Sequence, residues 1–251
     1  MKLFLIHGWG YDGRVWDELQ AELRALPIDS QRLDLPGYAG TPAAPAASVD
    51  ALADYLLANI PEGSIVVAWS LGAMAALAAA AKAPQHFAKL VLIGTNATFV
   101  RRDGWPEALD PALLAGFRQA LADDAGKLLT RFAALCNQGH DDGQTTPRAL
   151  ARRLSSQNDA PPSPAALADG LQALAEADLQ PLLTAVRLPV LLLHGSNDPL
   201  MPIAAAERLA AQLADARLES FAGAAHAPFL AEPARCARLI HAFVRSDATT
   251  A

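Results

Sequence analysis

The sequence predicts an α/β protein in which a mostly parallel, doubly wound sheet carries an inserted helical cap. Two observations predict this fold class. Short apolar runs alternate with segments of helical length, which is the pattern of buried strands and crossover helices in a parallel sheet. In the middle of the chain this alternation stops, and a long stretch shows helical patterns alone. The 251 residues suit one α/β core with an insertion.

The strands and helices of the core can be located from these patterns. Apolar or β-branched runs predict strands at Leu3–Ile6, Ile65–Ala68, Leu90–Ile93, Val190–Leu193 and Arg217–Phe221. Amphipathic or alanine-rich segments predict helices at Val15–Leu26, Val49–Ala58, Leu71–Ala81, Ala204–Leu213 and Pro233–Val244. Strands and helices therefore alternate at both ends of the chain, as βαβ units require.

The interruption predicts a cap at residues 96–182, with residues 1–95 and 183–251 forming the α/β core. Within the cap, helical patterns occur at Pro111–Leu121 and Ala125–Leu135, and no run is typical of a strand. Leu188 precedes a proline, which drives a residue toward extended geometry and so marks the return to the sheet.

Composition and charge exclude several classes of protein. The formal net charge of −6 argues against broad attraction to nucleic acid or to anionic membranes. Cys136 and Cys236 lie far apart and match no disulfide framework or zinc spacing. The first apolar run is too short for a signal peptide, and Lys82 interrupts the alanine-rich run below membrane-spanning length. We therefore expect a cytoplasmic monomer that needs no metal or cofactor.

A candidate nucleophile lies at the junction of a predicted strand and helix. The sequence SIVVAWSLGA places Ser70 directly after a β-branched run and before a small-residue helix. This matches the nucleophile elbow G-x-S-x-G, in which small neighbours permit a strained turn that exposes the hydroxyl, except that Ala68 replaces the first glycine. Taken alone, Ser70 also fits an ordinary helix N-cap.

Two further residues complete a candidate catalytic triad. A serine hydroxyl needs a base to accept its proton, and that base needs an orienting group. In α/β-hydrolases the acid and then the histidine follow the serine along the chain. Asp198 follows a predicted strand in the loop GSNDP, and His226 follows the next strand in the loop AGAAHAP. Each alone fits a turn aspartate or a solvated histidine, but the combination and its order favour a triad.

An oxyanion hole is also expected, because negative charge develops on the substrate carbonyl oxygen during attack. One backbone N–H should come from Leu71, the residue after the nucleophile, and the other from Trp9 in the loop after the first strand. The indole of Trp9 would line the ester pocket, although packing on the core beneath the loop is compatible with the same backbone role.

Six motifs together carry a family resemblance. They are His7-Gly8-Trp9-Gly10, Asp34-Leu35-Pro36-Gly37-Tyr38, Trp69-Ser70-Leu71-Gly72, Trp105-Pro106 with Leu114-Ala115-Gly116-Phe117, Arg131-Phe132-Ala133-Ala134-Leu135, and Ala224-Ala225-His226-Ala227-Pro228-Phe229. Over nearly its whole length the chain resembles the pimeloyl-(acyl-carrier protein) methyl ester carboxylesterases of biotin synthesis. The HG and D-x-P-G motifs recur throughout the α/β-hydrolases, whereas W-S-L-G, R-F-x-A-L and A-A-H-A-P-F are more specific.

The resemblance implies a serine carboxylesterase that cleaves the methyl ester of pimeloyl carried on acyl carrier protein. Carried over by motif, the triad would be Ser70, Asp198 and His226. The substrate contacts would be made by Trp9, Ser70, Leu71, Phe132, Ala133, Ala134, Leu135, Cys136 and His226. The chain departs from the family at Ala68, at Cys136, where family members have glutamine, and in starting at the strand before HGWG without the two edge strands usual in the fold.

Acyl carrier protein is strongly acidic, so the cap should present basic residues to it. Candidates are Lys127, Arg131, Arg148, Arg152 and Arg153. The alternative is that these are simply solvated charges, because residues 101–182 contain eight basic and eleven acidic side chains.

Two other functions remain open from the sequence. A broad-specificity carboxylesterase or lactonase acting on free short-chain or aryl esters would use the same triad. A catalytically inactive α/β-hydrolase serving as a ligand receptor is disfavoured by the intact nucleophile, base and acid.

Overall fold

The computed structural model describes residues 2–43, 48–137 and 161–246. Within these residues six strands form one sheet, and every strand pair is parallel. The strands are β1 (Leu3–Ile6), β2 (Ser30–Leu33), β3 (Ser64–Trp69), β4 (Phe87–Ile93), β5 (Val190–Gly195) and β6 (Ala216–Phe221). Their order in the sheet is β2-β1-β3-β4-β5-β6. The predicted α/β fold class is confirmed.

The helices of the described residues are α1 (Asp17–Ala25), α2 (Val49–Asn59), α3 (Leu71–Lys82), α4 (Pro111–Asp123), α5 (Ala125–Cys136), α6 (Pro164–Glu176), α7 (Ile203–Gln212), α8 (Pro228–Ala231) and α9 (Pro233–Arg245). Short 3₁₀ helices occur at Gly13–Trp16 and Gln180–Ala185. Helix α2 packs against α3, and α1 packs against α9, so that helices flank the sheet.

The interior of the sheet explains why apolar runs predicted the central strands. Every residue of β1, β3 and β5 is buried, as expected for parallel strands covered on both faces. Helix α3 is buried from Leu71 to Ala80 and is built mainly of alanine and glycine. Such small side chains allow its backbone to approach the sheet and α2 closely, which holds the start of α3 firmly at the end of β3.

The edge strand β2 was missed in the sequence. Three of its four residues, Ser-Gln-Arg-Leu, are polar, and none of the four is fully buried, so that no apolar run marks it. In the structure β2 pairs with β1, where Ser30 lies opposite Leu3, and it forms the edge of the described sheet on that side.

The predicted helix Val15–Leu26 is divided in the structure, because a 3₁₀ turn capped by Asp12 precedes α1.

Helices α4, α5 and α6 lie between β4 and β5 in the chain, within the predicted cap. Their starts have clear causes, since Asp110, Asp124 and Ser163 each accept a hydrogen bond from a backbone N–H of the first turn. Helix α4 packs against both α5 and α6. The predicted boundary at 182/183 falls inside the second 3₁₀ helix, which packs against α3. The division into core and cap stays a prediction.

No helix in the described ranges combines the length and apolarity needed to cross a bilayer. Cys136 and Cys236 are both free, buried thiols.

Candidate active site

Ser70 lies in the turn between β3 and α3, in a backbone conformation that L-residues rarely adopt. Its φ is 54° and its ψ is −121°, a region in which residues other than glycine are strained. Small neighbours make the turn possible. A Cβ atom on Gly72 would lie 2.3 Å from the carbonyl oxygen of His7, and one on Gly8 would lie 3.0 Å from the Ser70 Cβ. Gly72 after the nucleophile and Gly8 in the loop facing it therefore leave room for the elbow.

Ala68 occupies the position at which the motif usually has glycine. It is fully buried in β3, opposite Ile6 of β1 and Leu92 of β4. Its methyl group thus belongs to the interior of the sheet, and the turn at Ser70 forms with alanine at this position.

Ser70, His226 and Asp198 are joined by two hydrogen bonds. The Oγ atom of Ser70 lies 2.9 Å from Nε2 of His226, and Nδ1 of His226 lies 2.7 Å from Oδ2 of Asp198. All three residues are buried. Since an ionised carboxylate can only accept, Nδ1 of the histidine carries a proton and Nε2 is left to accept the serine proton. The arrangement can generate a serine nucleophile.

The carboxylate of Asp198 is oriented by the turn in which it lies. Its Oδ1 atom accepts hydrogen bonds from the backbone N–H groups of Leu200 and Met201, at 2.8 and 2.9 Å. Burial by itself disfavours the ionised form, but the opposing effects of His226, His194 and the Met201 N–H are larger, and the pKa of Asp198 lies below its ordinary value. The acid is therefore charged at neutral pH.

His194 contacts both this turn and the carboxylate of Asp198. Its Nε2 atom lies 2.6 Å from the carbonyl oxygen of Met201 and 3.4 Å from Oδ2 of Asp198. Burial lowers the pKa of the His194 imidazole, so the ring is neutral, and because a carbonyl can only accept, Nε2 carries the proton. The sequence indicated a buried, hydrogen-bonded residue here, and the structure adds that its partners are the acid turn and the acid itself.

The loop that carries His226 is fixed to the elbow and to the end of β4. The indole Nε1–H of Trp69 donates to the carbonyl oxygen of His226 at 2.9 Å. Gly94, which has a φ of 52°, lies so close that a Cβ there would be 2.7 Å from the same oxygen and 3.1 Å from Nδ1 of the histidine ring. The imidazole is therefore positioned by its backbone as well as by Asp198.

The two predicted oxyanion donors lie on either side of the elbow. Leu71 is the first residue of α3, where a backbone N–H has no acceptor within the helix. Trp9 lies in the loop after β1, which His7 holds in place: its Nε2 accepts from the N–H of Leu35 at 2.9 Å, and its Nδ1 donates to the carbonyl of Gly8 at 2.8 Å. Burial lowers the pKa of His7, consistent with this neutral form.

The side chain of Trp9 contacts helices α5 and α6. Its indole N–H donates to the carbonyl oxygen of Leu167 in α6 at 2.8 Å, and its ring meets Phe132 of α5 edge-on at 4.9 Å. Helix α6 approaches closely because Gly170 has no side chain, and a Cβ there would lie 2.4 Å from the indole. The indole is thus packed between the loop after β1 and these two helices.

The predicted substrate segment forms the end of α5. Phe132, Ala133 and Cys136 are buried, whereas Ala134 and Leu135 are partly exposed. Cys136 also contacts the histidine loop, because its carbonyl oxygen accepts from the N–H of Ala227 at 3.3 Å. The structure therefore brings this segment beside the triad.

Two of the five predicted docking residues lie within the described residues. Lys127 and Arg131 are exposed on α5, and the Lys127 ammonium lies 3.3 Å from the carboxylate of Asp124. Arg148, Arg152 and Arg153 lie outside the described residues.

Sequence reasoning missed Tyr11 as a residue of this site. It follows the HGWG motif directly, and that position was the available signal. Its ring meets Trp69 at 4.9 Å and Phe132 at 6.0 Å, and it is buried.

Comparison with known families and structures supports the fold. The family model for the alpha/beta hydrolase fold matches residues 3–233. An esterase from Exiguobacterium antarcticum superimposes with a TM-score of 0.86 at 21% identity, covering 98% of this chain and 92% of that one. At this identity the likeness shows the fold alone.

Sequence relatives are more similar. A protein of Aromatoleum aromaticum named pimeloyl-(acyl-carrier protein) methyl ester esterase is 42% identical over 248 residues, which cover 97% of this chain and 98% of the relative. A protein of the same name from Nitrosomonas europaea is 36% identical, covering 92% of this chain and 90% of the relative.

Proposed function

Because the chain belongs to the pimeloyl-(acyl-carrier protein) methyl ester esterases of the alpha/beta hydrolase fold, we propose that it hydrolyses the methyl ester of pimeloyl-acyl carrier protein in biotin synthesis. The reaction would proceed through an acyl-enzyme on Ser70. The observation that carries this proposal is the pair of hydrogen bonds from Ser70 Oγ to His226 and from His226 to Asp198.

In the first half-reaction, Ser70 Oγ attacks the ester carbonyl carbon while His226 Nε2 takes the serine proton. The charge that develops on the carbonyl oxygen would be held by the backbone N–H groups of Leu71 and Trp9, and one such donor is typically worth about 10²–10³-fold in rate. His226 then gives its proton to the methoxy oxygen, so that methanol leaves and the acyl group remains on the serine.

In the second half-reaction, water takes the place of the serine hydroxyl. His226 accepts a proton from the water as it attacks the acyl-enzyme, and returns it to Ser70 Oγ as the free carboxylate leaves. In both halves the histidine passes through a cationic state. The charged carboxylate of Asp198, 2.7 Å away, stabilises that cation in a buried site, where electrostatic attraction is strong.

The test measures methanol release from pimeloyl-acyl carrier protein methyl ester and hydrolysis of free p-nitrophenyl esters of graded length, each with the wild type and with Ser70→Ala. The proposal expects the carrier-bound ester to be strongly preferred and the variant to be inactive. Labelling of the wild type, but not of Ser70→Ala, by a fluorophosphonate would identify the nucleophile. Turnover of short aryl esters without activity on the carrier-bound ester would instead favour a broad carboxylesterase.

The carrier protein is proposed to dock on the cap near Lys127 and Arg131, together with Arg148, Arg152 and Arg153 from the sequence. Support comes from the exposure of the first two on one helix and from the acidity of acyl carrier proteins. Arg131→Glu should raise KM for the carrier-bound ester several-fold and leave free esters unaffected, because rim charges act mainly on encounter and orientation.

The matched control for this docking test is Arg24→Glu. Arg24 is an exposed residue of α1, outside helices α4 to α6. Its substitution changes the net charge by the same amount. An equal rise of KM in both variants would reject docking at Arg131 and indicate a general effect of charge.

A further inference from the structure

Tyr11 has a hydroxyl group for which the described residues supply no hydrogen-bond partner. The side chain is 3% exposed, and within the described residues no group forms a hydrogen bond with its Oη atom. The thiol of Cys136 lies beside it, and a thiol is at most a weak hydrogen-bond partner. Buried hydroxyls normally have partners, and one without a partner calls for an explanation.

The ring of Tyr11 packs beside the nucleophile elbow. Its ring packs edge-on against Trp69, the residue before the nucleophile, at 4.9 Å. It also approaches Phe132 of the cap. A partner supplied by the substrate would therefore satisfy a group that no residue of the described chain satisfies.

The hydroxyl lies on the histidine side of the nucleophile. Cys136, its neighbour, accepts a backbone hydrogen bond from Ala227, the residue after His226, and its thiol is close enough to Asp198 for the two to interact electrostatically. In a tetrahedral intermediate the histidine faces the alcohol oxygen, because it must protonate that oxygen. The ester oxygen nearest this side is thus the alkoxy oxygen rather than the carbonyl oxygen.

We infer that the Tyr11 hydroxyl donates a hydrogen bond to the alkoxy oxygen of the bound ester and so helps to orient the departing alcohol. This inference rests on the proposed serine hydrolase function. Tyr11 keeps its own proton throughout, since the proton that leaves with the alcohol is the one His226 takes from Ser70. Burial and the neighbouring Cys136 raise the pKa of the phenol well above its ordinary value, so the hydroxyl is a donor at any working pH.

The test compares two symmetric substrates that differ only in their leaving atoms. Dimethyl pimelate has an alkoxy oxygen at each leaving position, and the corresponding bis-S-methyl dithioester has a sulfur at each, which accepts hydrogen bonds weakly. Tyr11→Phe removes only the hydroxyl. We expect kcat/KM for the methyl ester to fall about 3- to 10-fold, the usual range for one lost hydrogen bond. For the thioester the change should be within about 2-fold, as expected when no strong hydrogen bond is lost.

The matched control is Tyr55→Phe, which removes a hydroxyl that donates to the carbonyl oxygen of Asp34 at 3.0 Å, away from the triad. It should change the two substrates alike. A second readout is the unfolding temperature, which should be unchanged or higher in Tyr11→Phe, because an unpartnered buried hydroxyl is lost.

Equal effects of Tyr11→Phe on ester and thioester, or no effect on the ester, would overturn the inference and leave the serine hydrolase function standing. If the wild type hydrolyses only the carrier-bound ester, Tyr11→Phe is compared with it on that ester, and an unchanged kcat/KM would overturn the inference. A wild type inactive on every one of these substrates would overturn the proposed function together with the inference.

Discussion

Asp198 contacts His226 through one carboxylate oxygen, Oδ2, at 2.7 Å, while its other oxygen accepts two backbone N–H groups. The carboxylate therefore cannot rotate without losing hydrogen bonds on both sides. This orientation presents an acceptor to Nδ1 of the imidazole and determines which ring nitrogen holds the proton.

Replacing Asp198 with asparagine should lower kcat by about 10³–10⁴-fold with little change in structure. Asparagine can offer an N–H where the carboxylate offers an acceptor, so the imidazole would take the tautomer that cannot accept the serine proton. Steady-state kinetics on a methyl ester measure the effect. Asp215→Asn neutralises an exposed carboxylate and should leave kcat within about 2-fold, as surface changes usually do. Retention of activity in Asp198→Asn would remove this residue from the mechanism.

The strained turn at Ser70 predicts a difference between two inactive variants. Ser70→Ala and Ser70→Gly should both lose on the order of 10⁴–10⁶-fold in kcat. Only glycine adopts a φ of 54° with a ψ of −121° freely, so Ser70→Gly should be more stable than Ser70→Ala by about 1 kcal/mol. Urea unfolding gives both free energies. If the alanine variant were equally stable, the turn would not be strained.

Gly94 should tolerate no side chain, because a Cβ there would lie 2.7 Å from the carbonyl oxygen of His226. Gly94→Ala should lower kcat/KM by at least about 10-fold, since a displacement of about 1 Å at a catalytic group can cost on the order of 10²-fold. Gly63→Ala is the control. Gly63 has a similar positive φ of 73° with nothing within 4 Å of the added atom, so it should lose stability but keep its activity.

His194 should make folding stability depend on pH. Burial lowers its pKa in the folded state below 6.5, so as pH falls from about 6.5 the unfolded chain binds a proton before the folded chain does, and stability decreases. His194→Gln keeps a donor for the Met201 carbonyl but does not titrate. The variant should therefore lose less stability than the wild type between about pH 7.5 and about pH 5.5 in urea unfolding. Parallel losses would show that His194 contributes nothing to this dependence.

How much of the molecule the sequence predicts depends on whether a feature is encoded locally. The buried strands are marked by apolar runs, and β3 with Ser70 is marked by a short motif, so both could be located by pattern. Asp198 and His226 could be ordered along the chain, but only the folded structure brings their side chains within hydrogen-bond distance of each other and of the serine. The catalytic roles of all three remain predictions.

Other features had no local mark. Strand β2 lies at an edge of the described sheet and is mostly polar. Its pairing with β1 is what identifies it as a strand. The importance of Tyr11 depends on the absence of a hydrogen-bond partner among the described residues, which is a property of everything around it rather than of its own neighbours in the chain. The turn below Asp198 likewise depends on His194 meeting a carbonyl seven residues away.

The hydrogen bond from the Trp9 indole to the Leu167 carbonyl joins a sheet loop to a helix of the insertion. The Trp9 ring packs closely against α6 at Gly170. An outward shift of that helix must therefore either break the hydrogen bond or move the loop with it. That loop is the one proposed to polarise the substrate carbonyl. A shift of α6 would thereby reach the Trp9 backbone N–H, which is proposed to bind the substrate carbonyl oxygen.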